Sequence, residues 1–315
     1  MKYFNLREGL QVPMDDLDYE NDFIRKQSKY PYALLGDVNI PVIPFRSRIK
    51  PAPLHDVGEV IHKPASSAPL VVQGKRIVPA LNAIWKNIPA SQPLSWRNLD
   101  LLGDLMLKDF EQVSVVDRER RVLTFRESIL GILDDPYLKP MTRNTSAGIP
   151  YKLDFAKPGL KGKQILFGKE EEYDLERLEC KRLEQDVNDE INLMRNGERN
   201  VIPYEVSEKD EVLPKEKIDE GKIRLFAVNS TLSGSLKRMY GGQFRSWFAH
   251  NRIQNGSAIG INVYSREWDA MIKYLLFGKK ETNKPSFIAM DVSKFDGTIS
   301  RYWMSLVYRM VIKWY

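Results

Sequence analysis

Two aspartates near the carboxyl end of the sequence could hold a metal ion. Asp291 and Asp296 lie five positions apart in the segment AMDVSKFDGTIS. Mg²⁺ binds one or two protein carboxylates and completes its shell with water and phosphate oxygens, so a carboxylate at a strand tip in a cleft can bind it. The spacing alone fits a solvated acid in a turn better than a metal site. Other residues must therefore support the metal.

A basic segment upstream could neutralise phosphates. It reads KDEVLPKEKIDEGKIRLFAV, and its cations are Lys209, Lys215, Lys217, Lys222 and Arg224. Side chains alternate along a strand, so Lys222 and Arg224 are predicted to share a face and to present two cations to one triphosphate. A solvated charged hairpin, with the neighbouring acids as ion-pair partners, explains the composition equally well.

Both groups need strands to position them. The apolar run SFIAM predicts a strand that is covered on both faces and carries Asp291 at its tip. The segments VIPYEVSEKD and KIRLFAV alternate in polarity and predict two strands around a charged turn. The Pro- and Val-rich segment Pro41–Pro89 predicts extended strands and turns rather than a helix.

Apolar periodicity predicts helices in the rest of the chain. The predicted segments are Ser95–Gln112, Glu171–Asn196, Thr231–Phe248, Ser265–Phe277 and a last helix that begins between Thr298 and Ser300. Thr231 and Ser233 are candidate caps of the third helix, which a Gly-Gly pair could kink. The apolar stripe of the last helix runs from Trp303 to Trp314 with no later element to pack on, so we expect the chain to be cut inside its fold.

The composition is that of a globular protein with a mild basic excess. The 315 residues are 43% hydrophobic and carry a net charge of +6, which suits a polyanionic partner without requiring one. One cysteine, Cys180, cannot form an internal disulfide, and with three histidines it argues against structural zinc and for a reducing compartment. No apolar run reaches the ~18 residues of a membrane span, so we expect no direct membrane insertion.

Several segments, in order, resemble motifs of picornavirus-like viral RNA-dependent RNA polymerases. The basic segment is similar to motif F, approximately K-D-E-x-x-x-x-x-K-x-x-x-G-K-x-R, with seven residues in register: Lys209, Asp210, Glu211, Lys217, Gly221, Lys222 and Arg224. AMDVSKFDGTIS resembles motif A, NTSAGIPY the family's fingers segment, and SAIGINVYS the stretch between motifs F and A. RSRIKPAPLHDV resembles an early segment, so the likeness covers about Pro41 to Tyr315.

The sequence departs from the family pattern in three ways. Leu213 stands where the family often has a basic residue, which removes that phosphate contact or shifts it to Lys215. Ala52 stands where serine is common, and nothing in the sequence explains it. Motif B and the G-D-D of motif C are not found, and the resemblance places them beyond Tyr315. Because motif C supplies the second metal-binding acid, the chain by itself is expected to be inactive.

The resemblance implies an α+β, right-hand polymerase fold in which fingers and palm alternate along the chain. Residues 41–284 would form the fingers, with a helix at 231–251 that could pack under the palm, and residues 285–315 would begin the palm. Residues 1–40 have no assigned role.

The resemblance also implies roles for individual residues. Asp291 would be catalytic and hold the metal, and Asp296 would recognise the ribose 2′-hydroxyl. The implied phosphate-binding residues of the nucleotide route are Lys209, Lys217, Lys222 and Arg224. Ser146, Ala147 and Gly148 would lie near the template strand, where small residues allow close backbone approach, although a plain turn explains them as well.

The implied cofactor is Mg²⁺ or Mn²⁺, acting in two-metal nucleotidyl transfer that replicates a positive-strand RNA genome. The implied partners are template and product RNA, nucleoside triphosphates, a small protein primer and other viral replication proteins. They would meet in the host cytoplasm, in a replication complex associated with membranes.

Three other interpretations fit parts of the sequence. A haloacid-dehalogenase-type phosphotransferase needs an aspartate where this chain has Lys294. A nucleotide-binding P-loop fails at Gly162-Lys163 because the glycine spacing is wrong, and at Gly221-Lys222 because Ile223 follows. A non-catalytic RNA-binding module, which grips single strands by charge and stacking, stays open as the alternative function.

Overall fold

The computed structural model describes residues 47–50, 62–66, 68, 70–72, 74–77, 79, 83, 95–276, 288–292, 295, 299 and 301–315. The chain divides into two units. The first unit comprises Met1–Val78 and Asp210–Lys222, and the second comprises Pro79–Lys209 and Ile223–Tyr315. The boundary between fingers and palm predicted at residue 285 stays a prediction.

Short antiparallel strands form the described part of the first unit. Strand β1 (His62–Pro64) pairs with β5 (Val212–Pro214), and β2 (Leu70–Val72) pairs with β3 (Lys75–Ile77). The short helix α6 (Lys215–Asp219) follows β5 directly. The extended structure predicted for the Pro- and Val-rich segment is therefore confirmed at residues 62–64, 70–72 and 75–77, whereas Pro79 and Ala83 are helical, which corrects the prediction at that end of the segment. The simple charged turn predicted between the segments VIPYEVSEKD and KIRLFAV is wrong. Residues 212–214 of this turn pair with β1, and residues 215–219 form α6.

Helices dominate the second unit. Its described helices are α1 (Trp96–Val113), α2 (Phe125–Leu130), α3 (Tyr151–Asp154), α4 (Gln164–Phe167), α5 (Leu178–Arg195), α7 (Thr231–His250), α8 (Glu267–Leu275) and α9 (Arg301–Trp314). Strands β4 (Glu205–Glu208) and β6 (Leu225–Val228) pair antiparallel, as predicted. No helix in the described ranges has the length and apolarity needed to cross a bilayer.

Helix α7 is the centre of the larger core. Its buried Leu232 and Met239 belong to one cluster with Ile129 of α2 and Leu183 of α5. The helix runs through its Gly-Gly pair without interruption. A Cβ at Gly242 would lie 2.8 Å from Leu123 Cδ1, so glycine at this position leaves room for the neighbouring leucine side chain.

The last helix, α9, packs against elements from the beginning of the unit. Leu306 and Met310 are buried against Leu99 of α1. Trp314 is fully buried, and its ring centroid lies 5.5 Å from that of Trp247 in α7. The prediction that this stripe lacks packing partners is therefore wrong for Leu306, Met310 and Trp314, which α1 and α7 cover, whereas Trp303 and Val307 of the stripe are about half exposed. A local sequence pattern cannot reveal contacts between residues that lie so far apart along the chain.

Helix α5 begins later than predicted. Residues 171–177 are not helical, and the Arg143 guanidinium donates to the carbonyls of Glu171 and Glu172 in this segment. Those carbonyls therefore have partners outside a helix. Leu183 and Val187 of the predicted stripe are buried, whereas Leu178 is 81% exposed.

Candidate functional site

The two strands β4 and β6 bring two of the predicted cations together. The register pairs Glu208 with Leu225, and the next backbone N–H, that of Lys209, donates to the carbonyl of Arg224 at 3.0 Å. Residues directly opposite on antiparallel strands project from the same face. Lys209 and Arg224 are both exposed. An anion near this end of the strand pair would therefore meet two cations.

An aromatic side chain lies next to these cations. Phe226 is two residues from Arg224, pairs with Ser207 and projects from the same face. Its side chain is 48% exposed. This face therefore combines two positive charges with an apolar ring, the composition that single-stranded nucleic acid binds. The alternating pattern predicted the strand but gave no reason to single out Phe226.

The other two predicted phosphate-binding cations, Lys217 and Lys222, belong to the first unit. Strand β6 begins at Leu225 and the hydrogen bond between Lys209 and Arg224 extends its pairing by one residue, but Lys222 lies outside it, so the predicted shared strand face of Lys222 and Arg224 is wrong. The reason is that the backbone N–H of Lys222 donates to the carbonyl of Lys217 at 2.8 Å, which closes the turn after helix α6. The Lys222 amine forms an ion pair with Glu220, as the charged-hairpin interpretation expects. Lys217 is exposed.

The segment NTSAGIPY (residues 144–151), called the template segment because it contains Ser146, Ala147 and Gly148, forms a turn that other parts of the protein hold in place. The backbone N–H and the hydroxyl of Thr231 both donate to the Ala147 carbonyl, at 2.9 and 2.7 Å. Gly148 has φ +69°, and a Cβ there would lie 2.5 Å from the Asn229 carbonyl oxygen. Ala147 and Gly148 are buried, while Ser146 is half-buried. The close approach that requires glycine here is therefore to the protein's own backbone, which corrects the predicted reason for the small residues.

Lys163 holds the same turn from another side. Its amine donates to the Thr145 hydroxyl at 2.7 Å and to the Ser146 carbonyl at 2.8 Å. Burial lowers the pKa of this amine to about 8. Among the described residues, no carboxylate pairs with it. In the sequence Lys163 stands out only as part of a Gly-Lys pair that does not fit a P-loop, and no local pattern reveals contacts across 17 positions.

The template segment and the cation pair share one scaffold. Thr231, which anchors Ala147, follows the end of β6 by three residues. Lys152, just after the segment, forms an ion pair with Glu205 at the start of β4. The segment thus contacts one end of the strand pair, and Arg224 lies roughly 13 Å away along β6, at about 3.3 Å per residue.

The predicted metal-binding residue Asp291 lies in an exposed segment. Residues 288–292 form no strand, and Met290 is 89% exposed, so the strand predicted to be covered on both faces is wrong. A buried strand needs neighbours that satisfy its backbone, and the strand pairs in the described ranges involve other segments. Asp296 lies outside the described residues. The predicted proximity of Asp291 and Arg224 stays a prediction.

Among the described residues, Asp291 is the one predicted metal ligand. The described part of the chain contains no group of three or more acidic, histidine or cysteine side chains placed to hold an ion. Asp291 alone fits Mg²⁺, which accepts a single protein carboxylate when phosphate oxygens and water complete its shell. A cavity of about 750 Å³ lies elsewhere, and its lining, which includes Gly131 and Asp135, contains none of the predicted site residues.

Comparisons with known proteins agree with the order of the motifs. The sequence model of the family described as viral RNA-dependent RNA polymerase matches residues 90–313. The replicase polyprotein of cricket paralysis virus is 35% identical over 196 residues, which cover 62% of this chain and 11% of that polyprotein. The replicase polyprotein of acute bee paralysis virus is 31% identical over 269 residues, which cover 84% of this chain and 14% of that polyprotein. The chain thus spans about a tenth of the length of these relatives.

A solved structure has a similar fold. The polymerase titled Sicinivirus 3Dpol RNA dependent RNA polymerase matches with a TM-score of 0.56 and 22% sequence identity. The match covers 78% of this chain and 47% of that one. The described elements of this chain, helices and paired strands, fit the same α+β class.

Proposed function

Because this chain belongs to the viral RNA-dependent RNA polymerase family, of the picornavirus-like kind, we propose that it forms the nucleotide- and template-binding part of an enzyme that copies a positive-strand RNA genome. Its fold is the α+β right-hand polymerase fold. The observation that carries the proposal is the pair of exposed cations, Lys209 and Arg224, on a strand pair that is also bonded to the template segment.

The cation pair would bind the triphosphate of the incoming nucleotide. The guanidinium of Arg224 can donate two parallel hydrogen bonds to phosphate oxygens, and the ammonium of Lys209 adds a second positive charge on the same face. Both charges oppose the negative charge that develops on the phosphates during transfer. Lys217 and Lys222 would contribute two further cations for the phosphates of the nucleotide, and Asp296 would recognise its ribose 2′-hydroxyl.

The template segment would guide the RNA strand. Ser146 is the half-buried member of the predicted trio and would contact the strand, while Ala147 and Gly148 would fix the shape of the turn through their contacts with residues 229–231. The small side chains act on the protein's own packing. Their effect on RNA would therefore be indirect.

Asp291 would hold a divalent cation, Mg²⁺ or Mn²⁺, in the complete enzyme. When bound, the metal ions of two-metal nucleotidyl transfer activate the attacking hydroxyl and stabilise the leaving pyrophosphate. Asp291 would supply one carboxylate to this site, and its exposed position leaves room for phosphate oxygens and water to complete the shell. A second acid must come from a G-D-D motif, which this sequence does not contain.

The partners follow from this activity. Template and product RNA, nucleoside triphosphates, a small protein primer and other viral replication proteins would meet in a membrane-associated complex in the host cytoplasm. Nothing in this proposal needs the chain itself to enter the membrane.

Lysine footprinting tests the nucleotide site. The chain is acylated with a lysine-reactive reagent in the presence of Mg²⁺ and ATP, or of adenosine as the control ligand, and each lysine is followed by mass spectrometry. ATP is expected to slow modification of Lys209 about fivefold or more. A bound triphosphate would block access to the amine, and its negative charge would stabilise the protonated, unreactive form. Adenosine should leave Lys209 unchanged, and the exposed Lys169 should be unaffected by either ligand.

Two variants sharpen the test. Arg224→Gln should abolish the protection of Lys209, whereas Arg199→Gln, an exposed arginine away from the strand pair, should preserve it. Protection by RNA but not by ATP, with affinity that falls steeply as salt rises, would instead favour the non-catalytic RNA-binding module. Absence of any triphosphate effect on Lys209 contradicts the proposed nucleotide site.

A further inference from the structure

The turn from Arg143 to Gly148, here called the template loop, is held by one lysine through four hydrogen bonds. The backbone N–H of Lys163 donates to the carbonyls of Arg143 and Thr145, at 2.8 and 2.9 Å. Its amine donates to the Thr145 hydroxyl and the Ser146 carbonyl, at 2.7 and 2.8 Å. One residue therefore bonds four acceptors on three residues of the loop and fixes their relative orientation.

The residue before Lys163 is shaped to the same loop. Gly162 has φ +56°, and a Cβ there would lie 2.3 Å from the Thr145 carbonyl oxygen. Any other residue would push the loop away from the lysine. The Gly162-Lys163 pair thus supports the loop from one side, while Thr231 supports Ala147 from the other.

A lysine in this place has a cost that a purely structural contact would avoid. Burial disfavours the charged amine and lowers its pKa to about 8, and no carboxylate within the described ranges offsets this. An ammonium carries three donors, of which the loop uses two. The arrangement therefore keeps a positive charge against the template loop, and the exposed Thr145 is one of the two residues that the amine contacts.

From these contacts we propose that Lys163 is the positioning residue of the template loop: its amine fixes Thr145 and Ser146 in the conformation that receives the RNA strand. The inference rests on the proposed function, since it concerns how the same site holds its template. Lys163 acts through the loop in this role and is not itself required to touch the RNA.

Photocrosslinking of the chain to an RNA that contains 4-thiouridine tests this role. Trypsin cuts after Arg143 and Lys152, so the loop is recovered in the peptide 144–152, and β6 is recovered in the peptide 225–237. Both peptides should crosslink in the wild-type chain. Lys163→Met should lower the crosslink yield of peptide 144–152 about fivefold, the effect of losing roughly 1 kcal/mol of loop-ordering hydrogen bonds, and should leave peptide 225–237 nearly unchanged.

Three further variants separate positioning from folding. Lys161→Met removes an exposed lysine two positions away and should have no effect on either peptide. Lys163→Arg keeps a charge and several donors, so it should restore part of the yield that Lys163→Met loses. Thr145→Val removes one acceptor of the amine, and its effect should not add to that of Lys163→Met, because both changes break the same contact.

The outcomes distinguish this inference from the proposal on which it rests. If wild-type peptides 144–152 and 225–237 both fail to crosslink, the proposed RNA site and the role of Lys163 fail together. If both crosslink and Lys163→Met changes neither, or lowers both equally while circular dichroism shows a folded chain, only the role of Lys163 is wrong. If Lys163→Met does not fold, Lys163→Arg and Thr145→Val decide, and additive effects of these two variants overturn the inference.

Discussion

Gly148 shows how a single residue can couple two parts of the site. Its backbone has φ +69°, and a Cβ there would lie 2.5 Å from the Asn229 carbonyl oxygen, just beyond the end of β6. We predict that Gly148→Ala lowers the free energy of unfolding by about 2 to 4 kcal/mol. Alanine is strained at this positive φ, and its Cβ would push away the backbone of Asn229, which follows β6. Chemical denaturation of the chain measures this loss.

Gly197→Ala is the matched control for this prediction. Gly197 has a similar φ of +78°, but a Cβ there would have no neighbour within 4 Å. Its substitution should cost only about 1 kcal/mol, the backbone term alone. Equal losses in the two variants would mean that the contact between Gly148 and Asn229 does not constrain the fold.

At the scale of elements, the short helix α2 depends on a charge-assisted cap. The Thr124 hydroxyl accepts from the Glu127 backbone N–H, and the Glu127 carboxylate accepts from the Thr124 N–H at 2.8 Å and also binds Arg121. The hydrogen bond from Arg121, followed by those from Thr124, lowers the pKa of Glu127 to about 2. A depressed carboxyl pKa contributes stability above the unfolded pKa of about 4.3, and this stability is lost as the pH falls towards 2.

Glu127→Gln should therefore lower the free energy of unfolding by about 1 kcal/mol at pH 7 and by progressively less between pH 5 and pH 2. Urea denaturation at several pH values measures this difference. Glu119→Gln removes the other carboxylate that pairs with Arg121 but leaves the cap intact, so it should have a smaller effect. A loss for Glu127→Gln that stays constant from pH 7 to pH 2 contradicts the assignment of this cap.

Local patterns predict most elements of this chain but not their partners. The predicted helices at 95–112, 171–196 and 231–248 are confirmed with shifted ends, because apolar periodicity reflects which side a helix buries. The short strand β5 pairs with β1, about 150 positions away, and no local signal predicts that pairing. The apolar run before Asp291 predicts a buried strand, yet residues 288–292 are exposed, since periodicity cannot supply neighbouring strands.

The same limit applies to the candidate site. The basic segment and the template segment could be identified from residue types and order, and the structure pairs Lys209 with Arg224 as neighbours. Lys163 and Phe226 could not be identified, because their positions depend on contacts across 17 residues and on a strand register. Residue types indicate which chemistry is available, whereas the fold decides which side chains share a surface.

At the scale of the whole molecule, catalysis needs acids from more than one motif. This sequence contains Asp291 in a segment that resembles motif A, but no G-D-D. A single carboxylate is a poor holder of two divalent cations, so we predict that the 315-residue chain alone incorporates no nucleotide in a primer-extension assay with Mg²⁺ or Mn²⁺. A polymerase that contains this sequence together with a G-D-D segment should extend the primer.

In that longer polymerase, Asp291→Ala should lower primer extension by roughly a hundredfold or more, because the cation loses a direct ligand. Asp189→Ala, an exposed acid on α5, is the matched control and should retain activity. Incorporation by the 315-residue chain alone would show that its own residues complete the metal site. Full activity of Asp291→Ala would instead move the metal to another carboxylate and leave the cation pair of Lys209 and Arg224 as a nucleotide-binding surface only.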